Sequence, residues 1–233
     1  MGGLKKLAKN SFFMLIVVIF LLIATFSCGV YVGSNRCFPY DVFRSLCDKF
    51  ISDENVFDNE SKQGVVLFGD SLTARGDWSI LRDSKFHEIL VLARGGQRAI
   101  DFMYSPADYE GDIHVFWLGT NDFNRGLDLT FSHEALVKLA QESASSGKKV
   151  IILGILEPVG ISQLASSHIK RYNGLIMKSC EKYSWSFIDI NLLLNERFPE
   201  REKISKDGIH LNLEASRYIA GFLKAECDQL LDN

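Results

Sequence analysis

Three short segments of this 233-residue chain carry residue types that can do chemistry together. The first is Gly69-Asp70-Ser71, directly after the apolar run Val65-Val66-Leu67-Phe68. A serine hydroxyl is a weak nucleophile until a base takes its proton, so Ser71 needs a partner elsewhere. Asp207-Gly208-Ile209-His210 offers one. An aspartate three residues ahead of a histidine can accept the imidazole Nδ1–H, which fixes the tautomer and leaves Nε2 to take a proton from serine. Between these lies Gly119-Thr120-Asn121-Asp122, where the Asn121 amide can face a developing oxyanion and Asp122 can cap or brace the loop. Each segment alone has a plainer reading. Gly119–Asp122 reads equally as a simple turn, and His210 as an ordinary loop residue.

The elements around these segments decide whether they can meet. A short run of Val, Leu and Phe closed by glycine reads as a buried strand. Such runs recur at Val65–Phe68, Ile89–Leu92, Ile113–Leu118, Val150–Leu153 and Phe187–Ile190. Helical spacing separates them at Ile100–Tyr104, His133–Ser145, Ser167–Tyr183 and Leu213–Leu231, with Asn212 as N-cap of the last. Strands alternating with helices predict an α/β domain whose mostly parallel sheet is covered on both faces. Right-handed crossovers bring the strand carboxyl ends to one edge, and all three segments with them. Gly69 permits the sharp turn there, and the helix that follows points its first amides back at Ser71.

Ahead of this domain the chain changes character. Residues 1–10 form a basic tail with Lys5, Lys6 and Lys9, and no charged residue occurs from Asn10 to Asn35. About 20 apolar helical residues span a bilayer, so 11–33 predicts one transmembrane helix. The basic flank puts the N-terminus in the cytoplasm and the remainder on the far side, the periplasm in a Gram-negative bacterium. The long run and the bulky Val30-Tyr31-Val32 favour an uncleaved signal anchor over a cleaved signal peptide. Thr25-Phe26-Ser27 disfavours lipidation at Cys28. Residues 34–63 read as a stalk with one short helix around Asp41–Phe50, and 64–233 as the catalytic domain. Asn59-Glu60-Ser61 matches a glycosylation sequon, relevant only to a eukaryotic secretory route.

Composition removes other classes. A net charge of −3 and the lack of a basic stripe with interleaved aromatics give no case for nucleic acid. Five cysteines are too few for a disulfide scaffold; Cys37 and Cys47 can bridge or stay free, while Cys180 and Cys227 sit in helical patterns and pack. No metal-ligand spacing occurs, so no metal is expected. His87, His114, His133 and His168 read as structural or surface residues, Trp78 as a core anchor, and Glu157-Pro158 as a border of the cleft.

Gly-Asp-Ser, Gly-x-Asn-Asp and Asp-x-x-His in this order, from about Gly64 to Leu231, resemble the SGNH (GDSL-type) hydrolase family. The resemblance implies a three-layer α/β/α flavodoxin-like fold and serine ester hydrolysis without a cofactor. It implies Ser71 as nucleophile, His210 as general base and acid, and Asp207 as the orienting carboxylate. Its oxyanion hole would join the Ser71 amide, the Asn121 side chain and an amide from a glycine loop after the second strand. That loop departs from the family pattern, which has Asn-x-Gly with a further Gly soon after. Here it reads Ala93-Arg94-Gly95-Gly96-Gln97-Arg98, so Ala93 stands for the Asn, and either Gly95 or Gly96 is left to donate. Arg94 and Arg98 read as solvated loop residues, with steering of an anionic substrate as the alternative.

The expected function is a membrane-anchored esterase that removes small acyl groups, O-acetyl above all, from envelope glycans. The alternatives are a lysophospholipase or thioesterase for long acyl chains, an O-acyltransferase using the same three residues, and a binding protein that kept the fold.

Overall fold

The computed structural model describes residues 64–83, 86, 88–102 and 104–232. The basic tail, the expected membrane segment and the stalk lie outside these residues, as do Cys28, Cys37, Cys47, Asn59 and His87. Among the described residues no helix is long and apolar enough to cross a membrane.

Five strands form the centre: β1 (Gly64–Gly69), β2 (Glu88–Ala93), β3 (Ile113–Trp117), β4 (Lys149–Leu153) and β5 (Ser186–Ile188). All neighbours pair parallel, in the order β2-β1-β3-β4-β5. Buried on both faces, β1 and β3 are apolar almost throughout instead of alternating with polar residues. The order is that of flavodoxin-like doubly wound sheets, with a switch point between β1 and β3.

Among the described residues the α-helices are α1 (Ser71–Ala74), α2 (Thr120–Asn124), α3 (Leu129–Ser145), α4 (Gln163–Tyr183), α5 (Ile190–Arg197) and α6 (Leu213–Asp232). Successive strand residues point to opposite faces, and two cores follow from this. Val65, Leu67, Val115, Trp117 and Ile151 pack with Leu194 of α5 and Ile219 and Leu223 of α6. Val66, Phe68, Phe116 and Ile152 pack with Leu136 of α3 and Ile169 and Ile176 of α4. The three-layer α/β/α arrangement is therefore present. Trp78 anchors the first core, 7% exposed, with its indole N–H donating to the Thr73 carbonyl. Cys180 and Cys227 are buried free thiols.

Two expected elements differ. Ile100–Tyr104 is not helical. The Asp122 carboxylate takes the Ala99 and Ile100 N–H groups, and the Gln97 amide donates to the Arg98 and Asp101 carbonyls. These bonds replace the i to i+4 ladder a helix needs. The run Phe187–Ile190 divides after Ile188, because the Asp189 side chain accepts from Asn191 and Leu192 N–H and caps α5. The helix α5 itself has no amphipathic signature and was not foreseen. At the start of α6, Asn212 Oδ1 accepts from Ala215 N–H at 2.9 Å, the cap its sequence predicts.

Candidate active site

The sheet register sets the site. Gly69 at the end of β1 lies between Ala93 of β2 and Trp117 of β3, so the chain leaves three adjacent strands at one level. Ser71, the glycine turn and the Asn121 segment thereby share one edge.

Ser71 opens α1, whose N-cap is Asp70. One Asp70 oxygen accepts the Leu72 N–H at 2.8 Å, and the side chain is otherwise enclosed at 1% exposure. Gly69 cannot be larger, because a Cβ there would sit 1.9 Å from Thr73 Oγ1. After α1 the Asp77 N–H donates to Ser216 Oγ at 2.7 Å, and Arg217 Nε donates to Asp77 Oδ2 at 2.7 Å. These bonds tie the turn after the serine to α6, the helix that follows the histidine.

The Asp207–His210 segment is organised by one carboxylate. Asp207 Oδ1 accepts from the N–H groups of Ile209, at 3.0 Å, and His210, at 2.7 Å. Its Oδ2 lies 2.6 Å from His210 Nδ1. The His210 ring and these backbone N–H groups hold the Asp207 carboxyl well below the usual carboxylate range. Ionised, it can only accept, so Nδ1 carries the proton and donates. Nε2 is then the acceptor, 2.8 Å from Ser71 Oγ. The result is a continuous chain from Ser71 O–H through imidazole to carboxylate, able to draw the hydroxyl proton away as the oxygen attacks. Asp207 is half exposed and His210 about one quarter.

Asn121 sits on the opposite side of the serine turn, in α2. Its Nδ2 donates both protons, to Asp70 Oδ2 at 3.1 Å and to the Gln97 carbonyl at 3.0 Å. The amide thus braces the serine turn against the glycine turn. Gly95 and Gly96 occupy the centre of that turn, which the Gln97 N–H closes onto the Arg94 carbonyl at 3.2 Å. Gly96 takes φ of +73°, a conformation that favours glycine. Arg98 pairs with Asp101 at 2.6 Å. Asp122, expected to cap or brace its own loop, accepts instead from Ala99 and Ile100 N–H groups in the segment after the glycine turn.

Sequence reasoning missed Asp70. Burial pushes its pKa up to about 7, and the nearby Asp122 carboxylate adds to the rise. An aspartate immediately before a helix is a preferred N-cap, and that was the available signal. Two further described histidines lie elsewhere. His114 is buried beside Phe68 and bonded to Ser143, and His133 pairs with Ser179. Among the described residues no three His, Cys, Asp or Glu side chains converge to hold a metal ion.

A doubly wound parallel sheet with a serine–histidine–aspartate chain at its carboxyl edge defines a class of hydrolase. The sequence profile of the GDSL-like lipase/acylhydrolase family matches residues 67–218. The chain belongs to that family, the SGNH/GDSL hydrolases.

Solved structures of similar fold include a GDSL-like lipase from Bacteroides thetaiotaomicron, at 16% identity and TM-score 0.64, covering 80% of this chain and 98% of that one. A catalytic mutant of an acetylxylan esterase from Geobacillus stearothermophilus is 15% identical with TM-score 0.61, covering 74% and 96%. An acetyl xylan esterase at 19% identity has TM-score 0.61, covering 70% and 98%. At these identities the likeness is one of fold. No curated protein sequence matches the chain.

Proposed function

We propose that this enzyme is a membrane-anchored serine esterase that removes small acyl groups, chiefly O-acetyl, from envelope glycans on the far side of the membrane from its N-terminus. The observation that carries the esterase reading is the Ser71–His210–Asp207 chain. Ser71 Oγ attacks the ester carbonyl while His210 Nε2 takes its proton. The tetrahedral oxyanion is held by the Ser71 amide, an amide of the Gly95–Gly96 turn and the Asn121 side chain. To donate there, Asn121 gives up one of its two present acceptors, the Gln97 carbonyl. His210 returns the proton to the leaving alcohol. A water molecule, activated by the same imidazole, then releases the acyl group as the acid.

The small-acyl preference is supported by acetyl xylan esterases among proteins of this fold. Anchoring is supported by the uncharged stretch from Asn10 to Asn35 and its basic flank. One observation favours a second reading. An open cavity of about 520 Å³ beside α2 sets Phe123, Leu127, Leu129 and Leu175 among Asp128, Thr130, His168 and Arg171, and an acyl chain could lie along its apolar side. Lysophospholipase or thioesterase activity would follow.

Hydrolysis of p-nitrophenyl esters from acetyl to dodecanoyl, by the full-length chain in detergent with Ser71→Ala as control, separates the readings. Serine-dependent activity that falls with chain length supports the small-acyl esterase. A maximum at octanoyl or longer moves the assignment to lipids. Acyl release accelerated by an added sugar acceptor would instead mark a transferase.

A further inference from the structure

The path of the proton divides the ester between two sides of Ser71. His210 must hand its proton to the departing alkoxide, so the alcohol half of the substrate lies on the histidine side. The acyl half lies across the serine, toward Asn121 and the glycine turn.

A cavity of about 420 Å³ adjoins the histidine segment, within the ~300–1,000 Å³ typical of small-ligand sites. Val159 is part of its wall and donates its N–H to the Gly208 carbonyl at 2.8 Å, two residues before His210. Arg201 also lines it, in a short 3₁₀ turn, Arg201–Ile204. That turn leads into the same segment, where the Asn212 N–H donates to the Ile204 carbonyl at 2.7 Å. The cavity is thus attached to the catalytic segment from both directions.

Its lining sets an apolar stretch, Pro158, Val159 and Ile161, beside polar side chains that balance in charge. Glu157, Glu202, Lys170 and Arg201 line it, with amides from Gln163 and Asn195. The Glu157 carboxylate is held by Ser166 Oγ–H at 3.0 Å and lies 3.9 Å from Lys170 Nζ. Arg201 is fixed by Asn195 Oδ1 at 2.7 Å and the Glu157 carbonyl at 3.1 Å, while its Nε is buried without a hydrogen-bond partner. Equal numbers of acids and bases suit neither an anion nor a cation. Oriented acceptors and donors beside an apolar wall suit a neutral group bearing several hydroxyls.

We infer that the cavity lined by Glu157 and Arg201 is the subsite for the alcohol half of the ester and takes a neutral sugar ring, with Glu157 accepting from its hydroxyls. This deepens, and rests on, the glycan-esterase reading.

The test compares kcat/KM for a partly O-acetylated xylo-oligosaccharide with that for p-nitrophenyl acetate, using the full-length chain. Glu157→Gln removes charge from the sugar acceptor, and Ser167→Trp fills the cavity from an exposed helix position. Each variant should lower the glycan-to-p-nitrophenyl ratio at least about tenfold, chiefly through KM, which is the loss of about one good hydrogen bond. An unchanged ratio in both folded variants overturns the subsite and leaves the esterase reading standing. Activity on p-nitrophenyl esters but none on the glycan ester does the same. A second readout does not need turnover: the deacetylated oligosaccharide should bind Ser71→Ala, and adding Ser167→Trp should abolish that binding. If wild type cleaves no ester through Ser71, the esterase reading falls, and this binding result alone decides whether the cavity holds sugar.

Discussion

Ser71 and His210 stand 139 positions apart in the chain and meet at 2.8 Å, Oγ to Nε2. The meeting is held by bonds outside the pair itself. The Asp77 bonds to Ser216 and Arg217 fasten the turn after the serine to the helix after the histidine. Ser71 and His210 therefore share one frame.

Replacing Ser71 by Ala, or His210 by Ala, is expected to lower p-nitrophenyl acetate turnover by at least about 10³-fold. Circular dichroism should show an intact fold, since neither side chain is part of either core. Undiminished turnover in a clean Ser71→Ala preparation would refute the nucleophile.

Asp207→Asn isolates the role of the carboxylate. An Asn oxygen can still accept from the Ile209 and His210 N–H groups, so the segment keeps its shape. The amide no longer fixes Nδ1–H, and kcat should fall by about 10²–10⁴ with little change in KM. Loss of thermal stability without a specific loss of kcat would make Asp207 a loop staple only.

Asn121→Ala is expected to cost about 10²–10³ in kcat if the amide holds the oxyanion. It also leaves Asp70 Oδ2 and the Gln97 carbonyl without their donor, so the melting temperature should drop as well. A change in melting temperature with kcat intact would confine Asn121 to bracing.

Asp70 makes stability depend on pH in an unusual direction. Its carboxyl titrates near 7 in the fold, because of burial first and Asp122 second, against 3.8 in the unfolded chain. Between about pH 4 and 7 the native state holds the extra proton, so its stability declines as pH rises and levels off above 7. At roughly 1.4 kcal/mol per pKa unit the span is a few kcal/mol. Urea titrations of the wild type and Asp70→Asn across this range should show the steeper decline in the wild type, the shallower remainder coming from Asp122, whose carboxyl burial also raises. Parallel slopes would place the titration elsewhere.

Gly119→Ala tests the positioning of Asn121. Gly119 has φ of +114°, and a Cβ would lie 2.8 Å from Tyr172 Oη. The variant should lose at least about 1–3 kcal/mol of stability and lower kcat through a displaced α2. Unaltered denaturation and kinetics would contradict both contacts.

Local sequence determined the strand runs, the helix caps at Asn212, and the three segments with their chemistry. Each of these depends on interactions within a few residues: apolar continuity, side-chain capping, and a carboxylate three positions from an imidazole. Asp207 and His210 were legible as a pair because a single turn brings them together. Tertiary structure decided what long-range bonds decide. The apolar spacing of Ile100–Tyr104 suggested a helix, but Asp122, from a different strand end, claimed its first amides. Asn121 was legible as a donor, yet only the fold shows both its protons already committed to Asp70 and Gln97. The Asp70 carboxyl looked like any loop aspartate until packing removed its water. Where the partner is near in sequence, residue type suffices; where it arrives across the sheet edge, the register of β1 between β2 and β3 chooses it.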